Sequence, residues 1–208
     1  MNWRLILKDK ANQPENGTYT DWKEQIAEEC FYQCIYCSIN EAQFGGIDHY
    51  HIEHYKPKSI ERFKALENDI CNLFYSCPIC NRFKSNDWPN DADDLDTICY
   101  PDPSEYDYSE LFDISIDDYK VYGKYVSTKY MTERLYLNRP QLLYERRETV
   151  LQQRADNVTK AIESLQEMID AQEDLVLLKE SNKGIIELLK TTQKRNNIRP
   201  YKLAEIRK

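Results

Sequence analysis

The sequence predicts an α+β protein, and three observations carry that reading. Two Cys-x2-Cys pairs, Cys34 with Cys37 and Cys77 with Cys80, enclose a stretch of short, irregular patterning. Downstream, "LFDISIDDYKVYGKYV" reads as a β-hairpin with its turn near Asp117 and Asp118. The rest is helical, because Val150, Leu151, Val158, Ala161, Ile162, Leu165 and Ile169 recur with a 3.6-residue period.

In chain order, residues 1–33 form a strand and helix lead-in. Its helix covers "DWKEQIAEECFYQ", 21–33, with Asp21 as cap and Trp22, Ile26 and Cys30 recurring every fourth residue. Residues 34–90 form the module that holds the cysteine pairs. Residues 91–126 carry an acidic segment and the β-hairpin, and 127–208 make a helical region. There Pro140 suits the first turn of the helix after "LYLN", and "GIIELLKTTQK" adds a second helix. A length of 208 residues with 41% hydrophobic content supports one good core, with or without an appendage.

No apolar run reaches the roughly 18 residues that a membrane span requires. The opening "MNWRLILKDKANQPENG" is too charged for a secretory apolar region, so the expected location is cytoplasmic, with no membrane partner. The seven cysteines then read as thiols or metal ligands. A net charge of −8 argues against a nucleic-acid partner until it is located. Asp87 to Asp118 contains twelve acidic residues and no Lys or Arg, and the remainder of the chain carries +4. That segment reads either as a solvated loop or as an interaction surface beside a basic site.

A Cys-x2-Cys turn directs two thiolates at one cation, and two such turns complete a tetrahedral Zn2+ site. Cys34, Cys37, Cys77 and Cys80 are therefore the expected ligands of a structural zinc. The 39 residues between the pairs exceed what a simple zinc ribbon needs, so a further structure is folded inside. Cys30, Cys71 and Cys99 lack the spacing and are assigned to the core, Cys30 being a weak substitute ligand one helical turn before Cys34. All three histidines, His49, His51 and His54, fall inside "DHYHIEHYKP", next to Glu53.

The string Cys34-x2-Cys37, then "IEHYKPKS", then "NLFYSCPICNRFK" resembles the HNH nucleases whose ββα-metal (treble-clef-like) module sits in a four-cysteine zinc frame. The resemblance implies an H-N-N variant in which His54 is the first motif residue, Asn72 the middle one and Asn81 the third. It implies Glu53 and Asn81 as ligands of a catalytic Mg2+ or Mn2+. With "LYLNRPQLLYERR" and the terminal "RPYKLAEIRK" included, the chain looks like the PtuB-like HNH proteins of Septu and retron-associated bacterial antiviral defence. Such a protein would work with an ABC-type ATPase, PtuA-like in kind.

The residue chemistry agrees with that implication. Phosphodiester hydrolysis needs an activated water and a cation at the phosphate. A neutral imidazole, here His54, can accept the water's proton near pH 7. Adjacent strand residues point to opposite faces, so Glu53 and His54 can share a site only where the strand ends. Asn72 is expected to pin the following loop through backbone hydrogen bonds. By alternation His49 and His51 share a strand face with Glu53, and either could add a ligand or neither. Lys56, Lys58, Arg62 and Lys64, with Arg82 and Lys84, form a basic group suited to phosphates without sequence readout. The expected function is cleavage of DNA or RNA; the alternative is a zinc-stabilised binding module that cuts nothing.

Overall fold

In a computed structural model of the chain, which describes residues 3–90, 94–170 and 176–196, Trp3 is already a core residue. Its ring stacks on Phe112 with centroids 4.7 Å apart, and its Nε1 donates to the Tyr36 carbonyl at 3.2 Å. The chain divides into two units, Met1–Arg146 and Arg147–Lys208. The fold is mixed α+β, with two small antiparallel hairpins.

The expected lead-in helix is shorter than its apolar period suggested. Helix α1 spans Lys23–Glu29, with Trp22 as its cap and no side-chain cap bond. Asp21 does not cap it: its Oδ2 accepts from the Thr18 backbone N–H at 2.8 Å, closing the preceding turn. The helix cannot continue to residue 33, because Phe31 and Tyr32 both take left-handed backbone at φ 56° and 55°. Among the described residues no strand precedes His51, so the expected N-terminal strand is absent.

The first hairpin pairs β1, His51–His54, with β2, Leu73–Ser76, and His54 faces Leu73 across the ladder. Every β2 residue is buried, because α1 packs against β2 while α2, Pro78–Lys84, packs against β1. Strand-side burial of Leu73 and Phe74 contributes roughly 1.5–3 kcal/mol each. An unbroken apolar "LFY" is what a strand with no solvent face requires.

The acidic stretch is not one solvated loop. Cys99, Tyr100, Tyr108, Leu111 and Phe112 all lie in the core. Asp107 caps α3, Tyr108–Leu111, by accepting from the Ser109 N–H. Asp87 Oδ2 accepts from Tyr100 Oη at 2.7 Å, Tyr130 Oη at 2.5 Å and Arg134 Nε at 3.0 Å. Asp94 and Asp96 remain exposed, while Asp91 and Asp93 lie outside the described residues, as does the terminal "RPYKLAEIRK".

The second hairpin forms where expected, β3 at Phe112–Ile114 and β4 at Val121–Gly123, with Asp117 and Asp118 in the turn. Gly123 is required there, since a Cβ would stand 2.4 Å from the Thr128 carbonyl carbon of α4, Val126–Arg134. Helix α5, Pro140–Asp170, opens on the expected proline, and the Arg139 carbonyl accepts from the Leu143 N–H at 3.2 Å in its first helical hydrogen bond.

The second unit contains the continuation of α5 and helix α6, Val176–Asn196, joined by a Lys190–Glu163 ion pair at 3.0 Å. Leu151, Val158 and Leu165 of the periodic stripe are exposed rather than in a core. Among the described residues no helix is long and apolar enough to cross a membrane.

Candidate functional site

The two cysteine pairs converge. Cys34, Cys37, Cys77 and Cys80 are all buried, and their sulfur atoms lie within 4.8 Å of one another. A tetrahedral ion with ~2.3 Å metal–sulfur bonds has a sulfur–sulfur edge of about 3.8 Å, and Cys37 Sγ lies 3.8 Å from Cys77 Sγ. The group can hold a metal ion.

Local backbone rules build each half. In the first knuckle Ser38 N–H donates to the Cys34 carbonyl at 2.7 Å, and Ser38 adopts φ 51° to turn the chain. In the second, Cys77 is the cap of α2, its Sγ accepting from the Cys80 N–H at 3.3 Å, and Pro78 occupies the first helical turn. The Ile35 N–H donates to the Tyr75 carbonyl at 3.0 Å, which seats the first knuckle on β2.

The electrostatics of the four sulfurs centre on Arg139. Its Nη2 lies 3.5 Å from Cys37 Sγ, 3.8 Å from Cys77 Sγ and 3.7 Å from Cys80 Sγ, and its Nη1 lies 3.6 Å from Cys80 Sγ. Burial alone would raise the Cys37 thiol. Hydrogen bonds from the other three cysteines and the charge of Arg139 outweigh it and hold Cys37 well below the ordinary thiol range. Cys30 lies outside the group of four sulfurs, so it is not a substitute ligand, and burial pushes its thiol up to about 12. Cys99 is buried and Cys71 half-buried.

His54 closes β1, and its imidazole Nε2 lies 3.0 Å from the Glu67 carbonyl. A carbonyl only accepts, so Nε2 carries the hydrogen and Nδ1 keeps the lone pair. Tyr19 meets the ring edge-on at 4.8 Å. Burial lowers the His54 pKa, and Lys58 and Lys84 lower it further against the opposing Glu67 carbonyl. The imidazole is therefore neutral at pH 7.

Asn72 holds the chain that leaves β1. Its Oδ1 accepts from the Lys56 N–H at 2.8 Å, and its Nδ2 donates to the Lys56 and Leu66 carbonyls at 3.1 and 3.3 Å. This is the loop-pinning geometry expected of it.

Glu53 has a different environment from the one the motif implied. It is 3% exposed, its Oε1 forms an ion pair with Lys84 Nζ at 2.6 Å, and Tyr36 Oη donates to it at 3.4 Å. Burial pushes its carboxyl pKa up, against Lys84 and Tyr36. A hard Mg2+ retains several waters around an open carboxylate, and a carboxylate sealed against an internal ammonium does not meet that requirement. Asn81, half-buried in α2, shares a helix face with Lys84 three residues on. Among the described residues no group of His, Cys, Asp and Glu that could hold a metal includes Glu53 or any histidine.

The same pair corrects the basic patch. Lys84 is fully buried and cannot reach a phosphate. It also donates to the His54 carbonyl at 3.1 Å, so it ties α2 to the end of β1. Lys58 is paired with Glu67 at 2.8 Å and Tyr19 Oη at 2.7 Å, and Arg62 lies over the Phe63 ring. Lys64 and Arg82 are exposed and Lys56 half-buried. His49 is not on the strand: it sits in a 3-10 turn, Ile47–His49, with its ring over Gly45. His51 is exposed at the start of β1, while Glu53 two residues on is buried.

Sequence reasoning missed Arg139, Tyr19 and Glu67 as neighbours of the two sites. Only Lys84 carried a signal, its helical spacing from Asn81. Comparison with known proteins finds no match: no family model, no curated protein and no solved structure is similar to this chain.

Proposed function

We propose that the chain is a zinc-stabilised phosphodiesterase of the HNH kind, with His54 as general base. The observation that carries this reading is the state of His54. It ends β1, donates from Nε2 to a backbone carbonyl and presents Nδ1 as an acceptor, in a setting that keeps it neutral. The order β1, β2, α2, with two cysteines on the first turn of α2 and two on an earlier knuckle, suits a ββα-metal module in a four-cysteine frame. Zn2+ fits the four thiolates, because it favours tetrahedral sulfur coordination. In this reading Asn72 fixes the loop that flanks the imidazole, and Lys56, Lys64 and Arg82 meet the nucleic-acid backbone. An ABC-type ATPase partner belongs to the same reading.

The Glu53–Lys84 pair favours the second reading, a binding module without catalysis, because the carboxylate meant for a catalytic ion is occupied. One experiment separates the two. Purified chain is incubated with mixed DNA and RNA in Mg2+, in Mn2+ and in EDTA, alone and with a candidate ATPase. Cleavage lost in the His54→Ala variant supports the nuclease; retention of nucleic acid with no cleavage under any condition selects the binding module. Cleavage that persists in EDTA, with zinc retained, would remove the divalent ion from the reaction.

A further inference from the structure

We propose that Arg139 is an outer donor to the metal centre, which holds the ion in place and locks the start of α5 to it. The inference rests on the metal-centre reading above and goes beyond it, since Arg139 lies 59 residues beyond the last cysteine ligand in a segment with no metal-binding spacing.

Four thiolates around one divalent ion leave surplus negative charge in a buried site. The Arg139 guanidinium meets that charge from one side, reaching three of the four sulfurs at 3.5 to 3.8 Å. A planar fork can touch three sulfurs at once; an ammonium is a single point. The buried Nε of Arg139 has no hydrogen-bond partner. An unpaired buried donor is destabilising, which the interaction of the other end with the sulfurs must offset.

The residues around Arg139 make the segment a strap. Leu135 and Leu137 are fully buried beside it. Asn138 brackets β4, accepting from the Val121 N–H at 2.8 Å and donating to the Val121 carbonyl at 2.9 Å. Arg146, further along α5, donates to the Leu137 and Tyr119 carbonyls and to Asn138 Oδ1. The Arg139 carbonyl accepts the first hydrogen bonds of α5 while its side chain lies on the sulfurs. Neighbouring residues therefore tie the metal centre, the second hairpin and the first turn of α5 together. When the ion leaves, the freed thiolates take up protons, which removes the negative charge that holds the guanidinium and should loosen all three.

The test uses the full chain with metal as the only probe. Zinc release to an excess of chelator is timed for the parent, Arg139→Leu, Arg139→Lys and the exposed control Arg147→Leu. The Co2+-substituted proteins are compared by absorption, and amide exchange is followed over residues 135–146. Loss of an outer hydrogen-bond partner typically weakens metal binding about 10- to 100-fold, so Arg139→Leu should release zinc faster by that order. Arg139→Lys should fall between, and Arg147→Leu should match the parent. The thiolate-to-cobalt charge-transfer band should shift in Arg139→Leu with one metal per chain retained. Exchange over 135–146 should rise on chelation in the parent. Parent-like release and cobalt spectra in Arg139→Leu would overturn the inference; should that variant not fold, parent-like release in Arg139→Lys would do the same. A parent that binds no metal sinks the metal centre itself and this inference with it.

Discussion

Glu53 and Lys84 form an ion pair sealed in the interior: Oε1 and Nζ are 2.6 Å apart, with side chains 3% and 0% exposed. Glu53 comes from β1 and Lys84 from the last turn of α2, so the pair fastens the helix that carries Cys77 and Cys80 onto the strand that ends in His54. Lys84 strengthens the junction by donating to the His54 carbonyl. The pair thus joins the four-cysteine frame to the imidazole.

Breaking this pair from one side leaves an uncompensated buried charge, which costs on the order of 3–5 kcal/mol. Lys84→Met and Glu53→Gln should each lower stability by that order in denaturant titrations. The double variant should lose much less than the sum, because no stranded charge remains. Additive losses would mean that the two side chains do not interact.

Removing metal should unfold the cysteine module before the second unit. Cys77→Ala should be the most damaging of the alanine substitutions among the four cysteines, as it removes a sulfur ligand and the side-chain cap of α2 together. Elemental analysis of protein purified without chelator should find one zinc per chain. A Cys77→Ala protein that melts with the parent would remove the ion's role in folding.

His54→Ala should reduce cleavage by roughly 10²- to 10⁴-fold, the usual contribution of a general base, with zinc content unchanged. The folded-state pKa lies below the unfolded value of about 6.5. Activity should therefore persist below that pH and fail only as the folded imidazole takes up a proton. Stability has the matching sign. The unfolded chain binds the proton first, so stability falls as pH drops from about 6.5 toward the folded value and is unaffected by this group above it. His54→Ala should abolish that part of the acid slope; an unchanged slope would place the titration elsewhere.

Asn72→Ala leaves the Lys56 N–H and the Lys56 and Leu66 carbonyls without their partner. Unmet buried groups of this kind cost roughly 1–3 kcal/mol each. The variant should gain amide exchange over residues 55–66, and its cleavage should weaken because the loop beside the imidazole is freed. Normal exchange with lost activity would instead assign Asn72 a direct part in the chemistry.

Asp87→Ala should destabilise the first unit by roughly 1–3 kcal/mol, since a carboxylate serving two tyrosines and Arg134 is removed. Exposed Asp94→Asn and Asp96→Asn should leave the melting temperature within error. A reversed ranking in thermal melts would contradict the structural assignment of Asp87.

The sequence by itself determined the four-cysteine group, the second hairpin and the start of α5. Each is governed by spacing within a few residues: Cys-x2-Cys for one turn, alternation around Asp117 and Asp118, Pro140 with its preset backbone angle. The strand end at His54 and the loop-pinning bonds of Asn72 were legible for a similar reason, since both follow local rules. What only the tertiary structure decided was the partner of each charge. Glu53 finds Lys84, Asp87 finds Tyr100, Tyr130 and Arg134, and Arg139 finds three cysteines, all across long separations in the chain. A sequence dictates which groups must be satisfied once buried. Which distant group satisfies them depends on how the hairpins and helices pack, because an ion pair or hydrogen bond forms only within a few ångströms, and packing sets that distance.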